Sequence, residues 1–482
     1  MFKKTSSLFY ISSKFLTHFI NLFSIFFITK SLFLDQIATV NQFLIVIEIA
    51  IIVLLGIPDG VLYFISKDKN KYLGMIISFI RNYSWLYLLI GLSLGFFLPI
   101  YFSNNELNNF YFNYSILLFS SIIISIFEAY LMAVNKFSIA AILSIILGLT
   151  KLIVVLMLFF HFIYLVEFIH LLTIIFFLGG FFAFFSLYNL EKDYFFRKDK
   201  ISKQFLTEFI NYSIPLWFSS IIGTLNKLID KFMVGYFFST SDFGIYSVLG
   251  RDLPYTVITA TLISLTTPII IRMVSLKNYD SAFIIWKRSV ILSSFFIIFA
   301  IFSNFLMVDE IIIFLYSRDF LRGKNIFLIY LLNLLPHVAY WGMFSKTFMK
   351  TKLILIISVL GLIINILLNF IFIPIWGLEG PAFATLLVSL LSVVSYIVIN
   401  QNLTKNRFIF FIPFKEIIIF VLENIVILFI MLFILNIPLF YSMNVFVKLL
   451  IVSILWFLIL YFMNIKLING ILKNGIVSLD EK

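Results

Sequence analysis

The sequence predicts an all-α polytopic membrane protein of about fourteen transmembrane helices, and three observations lead there. The first is composition: of 482 residues, 62% are hydrophobic and only 12% charged, whereas a soluble domain is nearer half apolar and a quarter charged. The second is the length of the apolar runs. Each reaches about 20 residues, enough to cross a bilayer as a helix. The third is the alternation of Lys/Arg-rich and Lys/Arg-poor loops, the mark of a chain threaded repeatedly through a membrane. A helix satisfies its own backbone in hydrocarbon, and these runs lack the short alternating pattern of barrel strands. The net charge of +12 would suggest nucleic acid in a soluble chain, but here it follows from the basic loops. With no cysteine, disulfides, thiol catalysis and cysteine metal sites are excluded.

Taken in order, the chain opens with Lys3 and Lys4 before an apolar run from Leu8 to Thr29. That run exceeds a signal-peptide core and carries no small-residue cleavage site, so it is expected to stay as the first helix. The remaining spans are expected near 37–57, 74–100, 113–134, 138–160, 163–188, 206–235, 244–271, 283–306, 326–347, 353–373, 379–400, 416–436 and 445–465. Even-numbered spans exit into Lys67, Lys69 and Lys71, Lys136, Lys192 to Lys203, Arg272 and Lys277, Lys350 and Lys352, and Lys405 to Lys415. Loops after odd-numbered spans are poorer, and Ser103 to Phe112 holds no Lys or Arg. The exception follows span nine, where Arg318, Arg322 and Lys324 stand against Asp309, Glu310 and Asp319. Both termini are therefore expected in the cytoplasm. Pro215, Pro254, Pro268 and Pro336 interrupt spans and are expected bend points.

The charged loop Glu191 to Gln204 separates six spans from the next six. Leu34 to Leu44 after span one resembles Ser241 to Gly250 after span seven, and Ile146 to Leu149 in span five resembles Val359 to Leu362 in span eleven. The two matches keep order and nearly constant offset, as duplication predicts. Both halves begin inside, so the repeat is parallel. The domain reading is a six-helix bundle over 1–205, a second over 206–403 and two further helices within 404–482.

Charges inside the spans point to chemistry, because a charged side chain at mid-membrane costs roughly 2.5–3.5 kcal/mol and so faces a partner or a wet cavity. They concentrate in Asn226 to Asp252, NKLIDKFMVGYFFSTSDFGIYSVLGRD. The candidate binding cations are Arg251, Lys227, Lys231, Lys14 and Lys151. Arg251 leads because a guanidinium matches phosphate oxygens and does not discharge. Lys14 and Lys231 are also placed to snorkel to the interface, and Lys151 is expected to pair with an acid such as Glu48 or Glu128. The acids Glu48, Asp230 and Asp252 are read as coupling or ion-pair residues, Asp230 offsetting Lys227 or Lys231 and Asp252 neutralising Arg251. Glu423 falls outside the twelve-helix core and is given neither role. His18, His161, His170 and His337 lack metal-ligand spacing, and the six tryptophans are expected mainly at the interfaces. No P-loop, dinucleotide fingerprint or nucleic-acid motif occurs, and no cofactor is expected.

Two segments carry a family resemblance. Asn226 to Val248 matches a "D-K/R-hydrophobic … Gly-hydrophobic-Tyr" pattern, and Asn369 to Thr385, NFIFIPIWGLEGPAFAT, matches "Pro-x-x-Gly-x-x-Gly-Ala-Ala-x-Ala-Thr" with Pro381 in place of an Ala. Over essentially its whole length the chain resembles a Wzx-type polysaccharide flippase of the multidrug/oligosaccharidyl-lipid/polysaccharide (MOP) exporter superfamily. The resemblance implies two six-helix bundles around a central cavity with two helices appended. It also implies transport of a polyprenyl-diphosphate-linked oligosaccharide, an O-antigen or capsule repeat unit, from the cytoplasmic to the outer leaflet of the bacterial inner membrane. Its partners would be the lipid-linked glycan, membrane lipid, a polysaccharide polymerase and a chain-length regulator. The alternatives are an exporter of a peptidoglycan precursor or of drugs and cations, and a membrane polysaccharide polymerase. The polymerase is disfavoured by short outer loops and the lack of a catalytic acid pair, so the chain reads as a transporter and not an enzyme.

Overall fold

The computed structural model describes residues 2–31, 56–82, 89, 111–196, 201–250, 253, 255–316, 318–405, 407–437 and 443–473, and among these every regular element is helical. Eight stretches of the described residues are long and apolar enough to cross a membrane, one of them, 351–403, holding two helices. The chain divides into two compact units, Met1–Trp217 and Phe218–Lys482. The division falls inside a helix, well beyond the charged loop.

The first unit contains α1 (Phe2–Ser31), α2 (Ile57–Lys67), a helix over 69–82 (α3), α4 (Tyr111–Ala133), α5 (Phe137–Phe159), α6 (Leu165–Leu190), the short α7 (Lys192–Phe196) and the opening of α8 (Lys203–Phe237). α1 packs along α5, and α4 along α6 and α2. Their shared core is apolar and fully enclosed at Tyr114, Leu117, Val155, Phe168 and Ile169. A second, aromatic core forms where Phe64 and Tyr63 of α2 meet Phe209 and Tyr212 of α8, the Tyr63–Tyr212 rings 4.3 Å apart. Such ring pairs add about 0.5–1.5 kcal/mol beyond area burial. At the end of α6, Glu191 is buried, paired with Lys69 at 2.5 Å and hydrogen-bonded by Tyr130.

The second unit contains the rest of α8, then α9 (Thr240–Leu249), α10 (Thr256–Ser275), α11 (Tyr279–Leu306), α12 (Val308–Leu315), α13 (Lys324–Leu332), α14 (Met343–Thr347), α15 (Thr351–Trp376), α16 (Gly380–Leu403), α17 (Phe414–Leu435), α18 (Val445–Met463) and the short α19 (Ile465–Lys473). α10 with α11 and α15 with α16 form antiparallel hairpins, and α17 and α18 pack against α11. The large core gathers Phe283, Trp286, Phe344 and Phe408. Trp286 and Trp456 are therefore buried, not interfacial as expected. Trp456 donates its indole N–H to Asn424 at 2.8 Å, and Asn464 donates to Glu423 at 2.5 Å. Glu423 thus ties α17 to the end of α18.

Two expected spans are broken. The run 244–271 holds α9 and α10, interrupted after Gly250, and the run 326–347 holds α13, a 3₁₀ turn at Leu335–Val338 and α14. The chemistry explains both interruptions. Gly250 closes α9, and Pro336 removes an amide donor inside the second run. Pro215 and Pro268, by contrast, lie within continuous helices, while Pro254 lies outside the described residues. Left-handed turns close several of the helices, at His161 and Lys277 among others. The turn before α5 places Asn135 at φ 58° and bonds Lys136 N–H to Leu131 O at 2.8 Å. The turn before α15 does the same with Met349 at φ 58° and Lys350 N–H to Ser345 O at 2.8 Å.

Candidate functional site

Asp230 is the centre of the polar chemistry in the second unit. It sits in α8, which presents Gly223, Asn226 and Asp230 on one face at helical spacing. Its side chain is 2% exposed. The carboxylate accepts from Asn369 Nδ2 of α15 at 3.0 Å, from Thr385 Oγ1 of α16 and, at 3.5 Å, from Tyr246 OH of α9. Tyr246 in turn lies 3.5 Å from Tyr330 OH of α13, and Asn369 also donates to Asn365 at 2.8 Å. A buried carboxylate is tolerated only when its acceptor capacity is met. Among the described residues, neutral donors from three other helices meet that capacity.

The two broken spans converge beside this cluster. A cavity of about 330 Å³ is lined by Asp230, Asn226, Lys231, Gly250, Tyr330, Asn333, His337, Thr385 and Ser389, all within the second unit. Non-helical backbone at membrane depth is stable only where it is buried in protein or lines a polar cavity, and both breaks reach this one. Gly250 is required at the first: a Cβ there would stand 2.8 Å from the Tyr246 ring and carbonyl oxygen. At the second, His337 Nδ1 lies 2.8 Å from Asn333 O. Among the described residues no group of three His, Asp or Glu could hold a transition metal. A hard monovalent cation needs only oxygens. The Asp230 carboxylate, the Thr385 hydroxyl and Asn369 Oδ1, which is buried without a hydrogen-bond partner, supply that type of donor.

The first unit holds a second polar site along the α1–α5 seam. Lys14 of α1 pairs with Glu128 of α4 at 2.5 Å and reaches Ser144 of α5 at 3.4 Å, while Tyr10 OH donates to the same Glu128 oxygen at 3.3 Å. Lys151 of α5 donates to Asn21 Oδ1 at 3.2 Å. Glu128 therefore belongs to Lys14, and among the described residues the bond of Lys151 is to a neutral amide, while Glu48, the other acid expected for it, lies outside them. Lys14 and its counter-ion are both partly exposed.

The other expected residues divide as follows. Lys231 lines the cavity beside Asp230. Lys227 falls within α8, but its side chain is outside the described set, and Arg251, Asp252 and Glu48 lie outside the described residues altogether.

No protein-family model and no curated protein matches the sequence. Solved structures do match. The MATE transporter VcmN of Vibrio cholerae, a point mutant, superposes with TM-score 0.66 at 14% identity, over 85% of this chain and 97% of that one. The lipid II flippase MurJ in an inward closed conformation matches with TM-score 0.62 at 18% identity, over 96% of this chain and all of that one. A multidrug resistance MATE family transporter of the MOP superfamily, in an outward-facing conformation, matches with TM-score 0.64 at 12% identity, over 84% and 97%. The fold is that of the MATE and MurJ transporters.

Asn369, Thr385, Tyr246 and Tyr330 were not singled out from the sequence as site residues, yet a signal was present. Asp230 and Tyr246 lie in the first segment that carries the family resemblance, and Asn369 and Thr385 open and close the second. The folded chain joins these two segments on one carboxylate.

Proposed function

We propose that this protein is a flippase that moves a polyprenyl-diphosphate-linked oligosaccharide from the cytoplasmic to the outer leaflet of a bacterial inner membrane by alternating access. The observation that carries the reading is Lys151, an ammonium well inside α5 whose bond is to a neutral amide. A cation kept at that depth with no carboxylate beside it among the described residues is suited to meet an anion, and a lipid diphosphate supplies one. Lys14, Lys231, Lys227 and Arg251 extend the cationic set along both halves of the sequence. The structural neighbours support a transporter of this fold, and the lipid II flippase among them supports a lipid-linked cargo. The glycan then passes to a polymerase and a chain-length regulator.

A second reading, an exporter of drugs or cations, is favoured by one feature, the buried oxygens around Asp230. On the flippase reading the same oxygens serve to tie α8 to α15 and α16. Deleting the gene in its host separates the two. Loss of surface glycan with accumulation of lipid-linked units in the inner leaflet, at unchanged drug susceptibility, is the expected result. Drug hypersensitivity with normal surface glycan would reject the flippase. In the complemented strain, Arg251→Ala is expected to stop glycan export at normal membrane levels, with Arg251→Lys restoring part of it, because the charge survives but the bidentate fork does not.

A further inference from the structure

Two cations stand on the α1–α5 seam, and they differ in company. Lys14 has the Glu128 carboxylate at 2.5 Å, whereas Lys151 has the Asn21 amide at 3.2 Å. The cross-helix pairs Lys14–Ser144 and Asn21–Lys151 are each 130 residues apart. The two helices therefore run parallel and in register at this seam. Seven residues separate the rungs on each helix, about 10 Å at 1.5 Å per residue. The Lys14 and Glu128 side chains are 26% and 33% exposed, so the pair is not sealed within the packed core. In the orientation given by the loop charges, the Lys14 rung is the cytoplasmic one and the Lys151 rung is the outer one.

We propose that Glu128 is a displaceable counter-ion: the diphosphate of the substrate takes its place on Lys14, advances to Lys151, and Glu128 closes on Lys14 behind it. This rests on the reading of the substrate as a lipid diphosphate. Carboxylate and phosphate oxygens compete for the same ammonium, whose three donors cannot serve both fully. An uncompensated carboxylate inside a bundle is costly. Tyr10 OH, already donating to the Glu128 oxygen at 3.3 Å, keeps that group hydrogen-bonded while Lys14 is engaged elsewhere. Ser144 holds the ammonium at its rung in the same interval. Among the described residues Lys151 has no carboxylate to displace, so the anion is held better one rung outward. Glu128 is thus a positioning residue that weakens the inner station and favours onward movement.

The test is binding of farnesyl diphosphate to the purified full chain in detergent, with flipping measured separately in proteoliposomes. Glu128→Gln keeps an oxygen acceptor for Tyr10 and removes the competing charge. Its expected effect is binding about tenfold tighter, the size of a 1.4 kcal/mol change, together with slower flipping. Glu128→Asp should bind like the wild type. In the double variant Lys14→Gln with Glu128→Gln the gain should vanish, because Glu128 acts through Lys14. Unchanged or weaker binding by Glu128→Gln at an unchanged unfolding midpoint would overturn the counter-ion role and leave the substrate reading standing. A double variant that still binds more tightly would overturn it too. Failure of the wild type and all variants to bind the diphosphate would remove the substrate reading and the counter-ion role together.

Discussion

A carboxylate that gathers donors from three other helices becomes expensive to remove. Asp230→Ala would leave Asn369 Nδ2, Thr385 Oγ1 and Tyr246 OH without their shared acceptor. A buried polar group left unsatisfied costs about 1–3 kcal/mol, so the unfolding midpoint of the purified protein should fall clearly. Asp230→Asn should lose nearly as much, since its amide N–H₂ turns donors against donors. Thr385→Ser keeps the hydroxyl and should remain close to the wild type. An unchanged midpoint for Asp230→Ala would show that the cluster adds nothing to stability. At this scale the sequence was informative about which residues matter and silent about their partners. A charge in an apolar run is conspicuous alone, and that marked Asp230, Lys14 and Lys151. Partners are set by packing: Asn369 and Thr385 lie 139 and 155 residues from Asp230. No local pattern predicts that distance. The same gap assigned Glu128 to the wrong lysine and placed Trp286 and Trp456 at an interface.

Helices were legible where length and hydropathy alone decide them, as in α4, α5, α6, α11, α17 and α18. Their interruptions were less legible. A hydropathy window averages over Gly250 and Pro336 and reports one continuous span, although the backbone breaks near both. The entry to α2 makes a comparable demand on backbone geometry. Gly56 caps that helix at φ 69°, and a Cβ there would lie 2.3 Å from the Ser213 carbonyl oxygen of α8. A left-handed conformation costs an L-residue roughly 1–2 kcal/mol before any clash is counted. Gly56→Ala should therefore push α2 off α8, spoil the Tyr63–Tyr212 ring contact and lower the yield of folded protein. Gly244→Ala is the matched control: in α9 no atom lies within 4 Å of the added methyl group, and alanine gains up to about 1 kcal/mol of helix propensity. Detergent-extracted yield and monodispersity of the two variants would check the contrast. Equal yields would mean that the Gly56 contact does not hold the unit together.

For the molecule as a whole, the alternation of basic and neutral loops leads to an expected orientation, and that expectation leads to an energetic prediction. On the flippase reading proposed above, the drive is taken to be the membrane potential. The potential, negative inside, is worth about 2.3 kcal/mol per charge per 100 mV. If the diphosphate carries about two negative charges, its outward passage is downhill by roughly 4–5 kcal/mol per 100 mV. The cationic residues move back with the resetting protein, so over a full cycle their contribution cancels and the cargo's charge is what remains. Flipping in sealed proteoliposomes, with the potential clamped by potassium and valinomycin, should accelerate as the cytoplasmic side becomes more negative, with pH and sodium equal on both sides. The competing route runs through the oxygens around Asp230, which would load a proton or sodium ion as the cargo leaves. On that route the wild type would stay idle under potential alone and start only when an ion gradient was imposed. The Asp230→Asn variant would then fail to respond to the gradient, and the potential-driven cycle would be wrong.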